Sequence, residues 1–341
     1  MKIIVPVGAL LLLSACTSVK KPAAGAAETP DFTIAFGSCN KIELKNLLWD
    51  DVLALEPDVW IWGGDNVYAD TDDMEQLRRD YTTQNAVPGY KKMKKSIPVI
   101  GTWDDHDYGV NDGGVEFEAK KGSQAEFLDF MEVPQDSPRR LQEGVYTSHD
   151  YYLPFGSIKV IVLDTRYFRT ALTPDTETDK RVKPNVYGQG SVLGEAQWNW
   201  LETTLKDSKA NFNVIVSSIQ FLSNEHGFEC WGNFPHEVDR LKNLITDSKA
   251  RGVLFLSGDR HISEFSKTTV DELEYPIIDF TSSGLTHAYS KFNGEPNPFR
   301  VGSVISTESF GLVRFNFFTN TVNFMMVGDD GVVFSRLEQS Y

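Results

Sequence analysis

Four runs of apolar and β-branched residues each lead, within a few positions, to a glycine and then to residue types that bind metal ions. The runs are Thr33 to Phe36, Val59 to Trp62, Ile97 to Ile100 and Val253 to Leu256. Buried parallel strands have this composition, and ligands of α/β sheets gather outside the carboxyl ends of such strands. The chain is therefore expected to bring the four segments that follow these runs to one shared edge.

These segments carry cysteine, aspartate, tyrosine and histidine in close succession. They are Phe36-Gly37-Ser38-Cys39, Gly63-Gly64-Asp65-Asn66-Val67-Tyr68-Ala69-Asp70, Gly101-Thr102-Trp103-Asp104-Asp105-His106-Asp107 and Leu256-Ser257-Gly258-Asp259-Arg260-His261. One such segment would not define a site, whereas four in the same strand-end context indicate one that binds metal ions.

The remaining pattern alternates strands with segments of helical spacing, which indicates βαβ units. The predicted helices are Leu44 to Leu55, Met74 to Tyr81, Gln124 to Met131, Glu195 to Leu205 and Glu237 to Ile245. Further strands are predicted at 148–153, 158–163 and 213–217, and successive antiparallel strands at 277–280, 311–318, 321–327 and 332–337. The predicted fold class is α/β, a two-sheet β-sandwich flanked by helices.

The amino terminus is typical of an exported lipoprotein. Lys2 precedes a short apolar run, and Leu13-Ser14-Ala15-Cys16 resembles a lipoprotein processing box, so residues 1–15 are predicted to be a signal peptide and Cys16 the lipidated residue. An ordinary secretory signal is the alternative. Residues 16–31 are interpreted as a flexible tether and 32–341 as the catalytic domain. We expect an extracytoplasmic location on a bacterial membrane, the outer one in a Gram-negative source.

The strand-end segments resemble the PhoD-like alkaline phosphatase family, within the calcineurin-like and purple-acid-phosphatase-like metallophosphoesterases. G-S-C, G-D-x-x-Y-A-D, W-D-D-H and S-G-D-x-H carry the resemblance, and Leu163-Asp164-Thr165-Arg166 adds a fifth piece. It extends from about Phe32 to the C-terminal region. The resemblance implies the metallophosphoesterase-type sandwich and an alkaline phosphatase or phosphodiesterase that hydrolyses phosphate esters with a metal-activated hydroxide.

The donor atoms predict two metal subsites that share Asp65. One gathers Cys39, Tyr68, His261 and Asp65, and its thiolate and phenolate suit Fe³⁺. The other gathers Asp65, Asp105 and Asp259, whose hard oxygens suit Ca²⁺ better than Zn²⁺. The resemblance implies the same pair of metals, although other divalent ions would also fit. Asp259 and Asp105 stand where the wider superfamily usually has histidine and asparagine.

Several of these residues have an alternative role. Asp65, Asp105 and Asp259 would each also serve as turn or cap residues, and Cys39 could instead form a disulfide with Cys230. Asp107, Asn111 and Gln220 are further candidates to complete the ligands of a calcium ion.

Three other residues are candidates for chemistry on the substrate. His106 is predicted to be the general acid or to stabilise developing charge, with a metal-ligand or structural role as the alternative. Arg166 would grip a phosphate oxygen, unless it forms an ion pair with Asp164 or a neighbouring carboxylate. His287 follows a strand and a glycine turn, so it would reach the mouth of the cleft or be an ordinary surface histidine.

The composition limits the partners of the chain. A formal charge of −15 repels nucleic acid, so the expected partners are a phosphate-ester substrate and a membrane, with the protein itself a monomer. No G-x-S-x-G or Walker sequence supports a serine hydrolase or an NTPase. The alternative function is a non-catalytic calcium-binding surface lipoprotein, which would not need the combination of Cys39, Tyr68 and His261.

Overall fold

The computed structural model describes residues 30–341. The predicted signal peptide, the lipidated Cys16 and the tether up to residue 29 lie outside the described residues. Within 30–341, no helix combines the length and the apolar character needed to cross a bilayer.

The described chain contains seven α-helices and fifteen strands. The helices are α1 (Trp49–Ala54), α2 (Met74–Ala86), α3 (Pro88–Met93), α4 (Asp105–Tyr108), α5 (Lys120–Phe130), α6 (Gly194–Asp207) and α7 (Pro235–Ser248). The strands are β1 (Phe32–Gly37), β2 (Val59–Gly63), β3 (Val99–Thr102), β4 (Thr147–Leu153), β5 (Gly156–Val162), β6 (Thr173–Pro174), β7 (Val182–Lys183), β8 (Phe212–Ser217), β9 (Val253–Ser257), β10 (Ser263–Thr268), β11 (Ile277–Ser282), β12 (Arg300–Ile305), β13 (Phe310–Asn316), β14 (Thr321–Val327) and β15 (Val333–Ser340).

Two mixed sheets form the centre of the fold. The first has the strand order β15-β14-β13-β1-β2-β3, and the second has the order β12-β10-β11-β9-β8-β5-β4. Strands β1, β2 and β3 are parallel in the first sheet, as are β5, β8, β9 and β11 in the second. The predicted α/β architecture with two sheets and flanking helices is confirmed.

Alternate side chains of the central strands fill separate apolar layers. One face of each sheet contributes to a core between the sheets, where Phe36 and Phe280 meet at 4.9 Å. The other face of the first sheet packs against α1, α2, α3 and α5 through tryptophans such as Trp60 and Trp62. The second sheet packs against α6 and α7 through residues such as Trp198 and Leu241. Because both faces are covered, the parallel strands read as continuous apolar runs.

Two of the predicted elements are wrong. The helix predicted at Leu44 to Leu55 begins only at Trp49, because the Asn46 side chain accepts a hydrogen bond from the backbone of Leu48 and donates one to Asn40. The strand at 277–280 does not continue an antiparallel series. It forms β11, which pairs in parallel with β9 and is buried along its whole length.

Two strands have no apolar run that would have revealed them. β10 has the sequence Ser-Glu-Phe-Ser-Lys-Thr, and β12 is half-buried or exposed along its length. Both form one side of the second sheet, where β10 pairs with β11 and with β12. Their pairing depends on the rest of the sheet, so local composition gave no signal for it.

Candidate metal centre

The parallel strands of the two sheets bring their carboxyl ends together, and the predicted metal-ligand residues follow those ends. Cys39 follows β1, Asp65 and Tyr68 follow β2, Asp105 and His106 begin α4 after β3, and Asp259 and His261 follow β9. The approach is close enough to require glycine. A Cβ atom on Gly258 would lie 2.6 Å from the Gly63 carbonyl oxygen, and one on Gly64 would lie 2.5 Å from the Asp104 Cβ.

Unusual backbone conformations are concentrated at this edge. Cys39, Asp65, Asp259 and His261 all have positive φ angles, of 59°, 49°, 70° and 54°. A left-handed conformation costs roughly 1–3 kcal/mol for a residue other than glycine. Aspartate and histidine adopt this conformation more readily than most residues, whereas cysteine does not, and all four side chains belong to the cluster described below.

The first group of side chains converges on Asp65. The Tyr68 hydroxyl donates to Asp65 Oδ2 at 3.0 Å and lies 3.1 Å from His261 Nε2. Cys39 Sγ lies 3.4 Å from the same Asp65 oxygen and 3.0 Å from the Ser283 hydroxyl. One ligand atom each from Cys39, Asp65 and His261 falls within a mutual distance of 4.8 Å, a spacing that one metal ion would bridge.

The second group is built from carboxylates and shares its members with the first. Asp65 groups with Asp105 and His106, and Asp105 groups with Asp104 and Asp259, each time within 4.8 Å. Asp105 Oδ1 and Asp104 Oδ2 are buried and accept no hydrogen bond from any described residue. Buried carboxylate oxygens without donors are costly, and a bound cation is the usual compensation.

The charges in this cluster are not balanced by the protein alone. Burial raises the pKa of Asp65 well above its usual range, and Cys39 and Asp105 raise it further. Burial also raises the pKa of Asp259 to about 7 and that of the Cys39 thiol to about 11. For Asp105, burial raises the pKa, but the charges of Arg166 and His106 and the hydrogen bonds to the carboxylate together outweigh it, so the net pKa is lowered. The donor set and its excess negative charge fit metal cations.

His106 is held at the rim of the cluster by two contacts. Its Nδ1 lies 2.7 Å from Asp70 Oδ1, and its ring packs on the Tyr68 ring at a centroid distance of 4.1 Å. Burial lowers the pKa of His106, but the hydrogen bond to Asp70 and the nearby charges of Asp105 and Asp70 outweigh it, so the net pKa is raised. The side chain is therefore disposed to carry a proton.

His287 and Lys41 border the same cluster. The His287 ring lies 4.9 Å from the Tyr68 ring and 4.4 Å from the His261 ring. The backbone carbonyl oxygen of His287 lies 3.1 Å from His261 Nδ1. Burial, together with the charge of His261, lowers the pKa of His287 to about 3, so its ring is neutral. Lys41 Nζ lies 4.9 Å from the centroid of the Tyr68 ring, which places a cation beside the cluster.

The role of Arg166 in gripping phosphate stays a prediction, because in this structure its side chain is engaged by carboxylates of the protein. The side chain is fully buried, with Nε 2.5 Å from Asp104 Oδ1 and Nη1 2.6 Å from Glu229 Oε2. The alternative of an ion pair with a neighbouring carboxylate is the one observed, although Asp164 is not the partner. Two buried carboxylates need this cation, because an unpaired charge there would be strongly destabilising.

The three further candidates for calcium ligands have different surroundings. The Asp107 carboxylate accepts hydrogen bonds from Asn66, Tyr81 and the backbone of Asp104, so its oxygens are already used. Gln220 donates to Glu264 and Thr281 inside the second sheet. Asn111 is exposed in the loop after α4, next to Asp112. The hydrogen bonds therefore disfavour Asp107 and Gln220 as ligands in this structure, and Asn111 stays a prediction.

The disulfide alternative is also wrong, because Cys39 and Cys230 are both free thiols. Cys39 contacts Asp65 and Ser283 as described. Cys230 lies at the start of a short 3-10 helix, Trp231–Asn233, where burial raises its thiol pKa to about 12. A thiol of that kind is a packed apolar group, and Cys39 alone faces the cluster.

Sequence reasoning missed five residues at this centre, namely Lys41, Asp70, Asp104, Asp112 and Glu229. Asp104 precedes Asp105 in the W-D-D-H segment, and Asp70 ends the G-D-x-x-Y-A-D segment, so both were visible as candidates. Asp112 and Glu229 join Asp105 in a further group within 4.8 Å. Glu229 comes from a distant part of the chain without a motif of its own, so local sequence gave no signal for it.

Known proteins resemble this chain in sequence over most of its length. A family model described as PhoD-like phosphatase matches residues 34–296. Alkaline phosphatase D from Bacillus subtilis (strain 168) is 24% identical over 292 residues, which cover 73% of this chain and 49% of that relative. The chain thus spans about half the length of this curated relative.

Solved structures share the fold at low sequence identity. The structure of PhoD superposes with a TM-score of 0.70 at 18% sequence identity. The match covers 94% of this chain and 70% of the PhoD chain. GAP50, the anchor in the inner membrane complex of Plasmodium, has a TM-score of 0.60 at 13% identity, with 92% and 89% covered. A dimetal phosphatase from Danio rerio has a TM-score of 0.56 at 14% identity, with 92% and 100% covered.

Proposed function

Because the chain belongs to the PhoD-like phosphatase family, we propose that it is a metal-dependent hydrolase of phosphate esters. The observation that carries the proposal is the cluster at the strand ends, in which buried carboxylates with unused oxygens adjoin a thiol, a phenol and an imidazole. A structural calcium site would not need the last three groups.

We propose that the two sets of donor atoms select different metal ions. Cys39, Tyr68, His261 and Asp65 would hold Fe³⁺, while Asp65, Asp105 and Asp259 would hold Ca²⁺ or another divalent ion. When bound, such ions would supply positive charge for the phosphoryl oxygens and lower the pKa of a bound water. Asp104, missed in the sequence, is a further oxygen donor beside the second set.

His106 is the residue that we assign to proton transfer. Since its Nδ1 is engaged by Asp70, Nε2 is the ring nitrogen left to donate a proton to a departing alkoxide. Asp70 holds the ring in orientation and favours its protonated form. Tyr68 supports the imidazole from one face, so the geometry limits where that proton can be delivered.

Lys41 is a second candidate for the contact with a phosphate oxygen that the sequence suggested for Arg166. Its ammonium group lies over Tyr68 beside the cluster, whereas Arg166 is enclosed by Asp104 and Glu229. An anionic phosphate approaching a protein of charge −15 needs local positive charge, and Lys41 would provide part of it. We propose that Lys41 contacts a non-bridging oxygen of the substrate.

The cellular setting follows from the amino-terminal sequence. We propose that residues 1–15 are removed as a signal peptide, that Cys16 carries the lipid, and that residues 16–31 tether a catalytic domain formed by 32–341. The enzyme would then act outside the cytoplasm on phosphomonoesters or phosphodiesters. The second candidate, a calcium-binding surface lipoprotein without activity, is supported only by the carboxylate half of the cluster.

Elemental analysis of the purified protein, combined with turnover of one aryl phosphomonoester and one aryl phosphodiester, tests this proposal. We expect iron together with calcium, a visible colour from a phenolate bound to Fe³⁺, and hydrolysis of at least one ester. Cys39→Ser should remove the iron, the colour and most of the turnover while the fold is kept. Calcium without iron and no hydrolysis of either ester would instead establish the non-catalytic alternative.

A further inference from the structure

The end of the sandwich opposite the metal centre exposes aromatic side chains on two turns. Phe318, in the turn between β13 and β14, is 94% exposed. Phe155, in the turn between β4 and β5, is 80% exposed, and Tyr152 beside that turn is 82% exposed. Among the described residues these are three of the four most exposed large apolar side chains. Large aromatic groups this exposed, and this close in the fold, mark an interaction surface.

The two turns are parts of one surface. A Cβ atom on Gly156, the residue after Phe155, would lie 2.5 Å from the ring of Phe317, the residue before Phe318. Both turns therefore meet at the start of β5. We use the name aromatic tip for Tyr152, Phe155 and Phe318 together.

The chain enters the domain beside the same surface. The backbone N–H of Phe317 donates to the Asp31 carboxylate at 2.7 Å, and the N–H of Asp31 donates to the Phe315 carbonyl at 2.9 Å. Only the fourteen residues 17–30 separate this point from Cys16. Their covalent reach is at most roughly 50 Å, so a lipid on Cys16 would hold the point where the chain enters the domain, with the aromatic tip beside it, within that distance of the bilayer.

We propose that the aromatic tip rests in the interfacial region of the bilayer that holds the lipidated Cys16, an inference that depends on the proposed lipid anchor. Phenylalanine and tyrosine are suited to that region, where one side of the surface is apolar and the other is wet. The chain carries a net charge of −15, so the contact is with a zwitterionic lipid surface and is driven by apolar burial.

The proposal fixes the direction in which the metal centre faces. The aromatic tip lies at the amino end of β1, and Cys39 follows its carboxyl end. Six residues of strand separate the two ends by roughly 20 Å. The metal centre thus faces away from the bilayer, and its substrates are phosphate esters in the aqueous compartment. Phospholipids of the anchoring leaflet are out of its reach.

The test uses the full-length lipidated chain in phosphatidylcholine vesicles whose acyl chains carry bromine, which quenches tryptophan fluorescence on contact. Phe155→Trp and Phe318→Trp place reporters in the tip. Leu141→Trp is the matched control, because Leu141 is 90% exposed and precedes Thr147, which pairs with Val162 at the carboxyl end of β5. Six of the native tryptophans are buried, so their background is nearly constant.

We expect the emission of the two tip reporters to fall roughly twofold in brominated vesicles, with no fall at position 141 and little effect of added salt. A Tyr152→Trp reporter should lose its quenching when Phe155→Ser and Phe318→Ser are introduced together. The double serine variant should hydrolyse a soluble ester as the unmodified chain does, since neither residue lies near the metal centre.

Equal quenching at positions 141, 155 and 318 would overturn the proposal, because the domain would then have no fixed orientation. Absence of quenching at the tip in protein that floats with the vesicles would also overturn it. Failure of every variant to float with vesicles would remove the anchor and the proposal with it. Hydrolysis of the soluble ester reports separately on the proposed function in each case.

Discussion

Glu237 and Asp105 are almost equally buried, but they differ in the number of hydrogen-bond donors around their carboxylates. Glu237, 2% exposed at the start of α7, accepts hydrogen bonds from the backbone of Val192 at 2.8 Å and from Trp198 Nε1 at 2.8 Å. Asp105, 3% exposed at the start of α4, accepts one from the backbone of Asp112, and its other oxygen receives none from the described part of the chain.

The difference shows that burial by itself does not identify a functional acid. The region around Glu237 supplies enough N–H and O–H donors to replace the water that the carboxylate loses on folding. The strand ends around Asp105 supply too few, and they add Asp65, Asp104 and Asp259 as further negative groups. The hydrogen bonds around Glu237 stabilise the fold. The carboxylates around Asp105 lower its stability unless a cation binds to them.

Asp65→Asn gives the largest effect and tests the comparison directly. Asp65 is common to both proposed metal sets, so the asparagine variant should lose both metals, and the rate of ester hydrolysis should fall by on the order of 10⁴. The free energy of unfolding of the metal-free protein should stay constant or rise, because burial raises the pKa of Asp65 and the carboxyl must take up a proton on folding, whereas asparagine need not. Elemental analysis, turnover and thermal melting measure the three quantities. If the variant kept its full metal content, Asp65 would not be a metal ligand, and its role would be structural like that of Glu237.

His106→Ala should lower the rate by roughly 10²–10⁴ on an ester with a poor alkoxide leaving group and far less on an activated aryl ester. The reason is that an aryloxide such as nitrophenolate departs without a proton. Asp70→Asn should reproduce the effect in weaker form, since it removes the group that raises the pKa of His106.

Metal content decides how the His106 result bears on the comparison. With both metals retained, an equal loss on both leaving groups would point to stabilisation of developing charge. Loss of the calcium-type ion would add His106 to the ligands, and the proton donor would then have to be sought at another residue.

Glu237→Ala tests the structural side of the comparison. The substitution leaves at least two buried donors without an acceptor, so the free energy of unfolding should fall by on the order of 2–4 kcal/mol. Glu195→Ala is the matched control, because Glu195 of α6 pairs with Arg240 of α7 at the surface and its removal should have little effect. Denaturant titration compares the variants. If the folded fraction of Glu237→Ala also lost metal, Glu237 would contribute to the metal centre and would not be a purely structural acid.

Lys41→Ala should give the smallest effect. If the ammonium group contacts the substrate anion, KM should rise by about tenfold with little change in kcat, because a contact present in both ground and transition states is lost. Metal content should remain that of the unmodified chain. Lys41→Arg keeps the charge and should recover most of the affinity. A fall in kcat with an unchanged KM would show that Lys41 acts on the reacting oxygen instead.

The sequence predicted those parts of the fold that local chemistry decides. β1, β2, β8 and β9 were recognisable because strands covered on both faces are apolar along their length. α6 and α7 were visible from their helical spacing. The helix at Leu44 to Leu55 was overpredicted because its spacing placed Leu44 and Leu47 in an apolar stripe that the structure leaves exposed.

The same distinction applies to the candidate centre. The sequence by itself determined which donors follow strand ends, since Cys39, Asp65, Asp105, Asp259 and His261 each lie next to a readable strand. Only the tertiary structure decided which carboxylates are left without hydrogen-bond donors, because Asp107 and Asp105 differ in partners and not in local pattern. It also decided that Arg166 is enclosed by Asp104 and Glu229, since the second of these carboxylates comes from a distant loop. Local sequence fixes what a side chain can offer, and long-range packing fixes whether its charge is already matched.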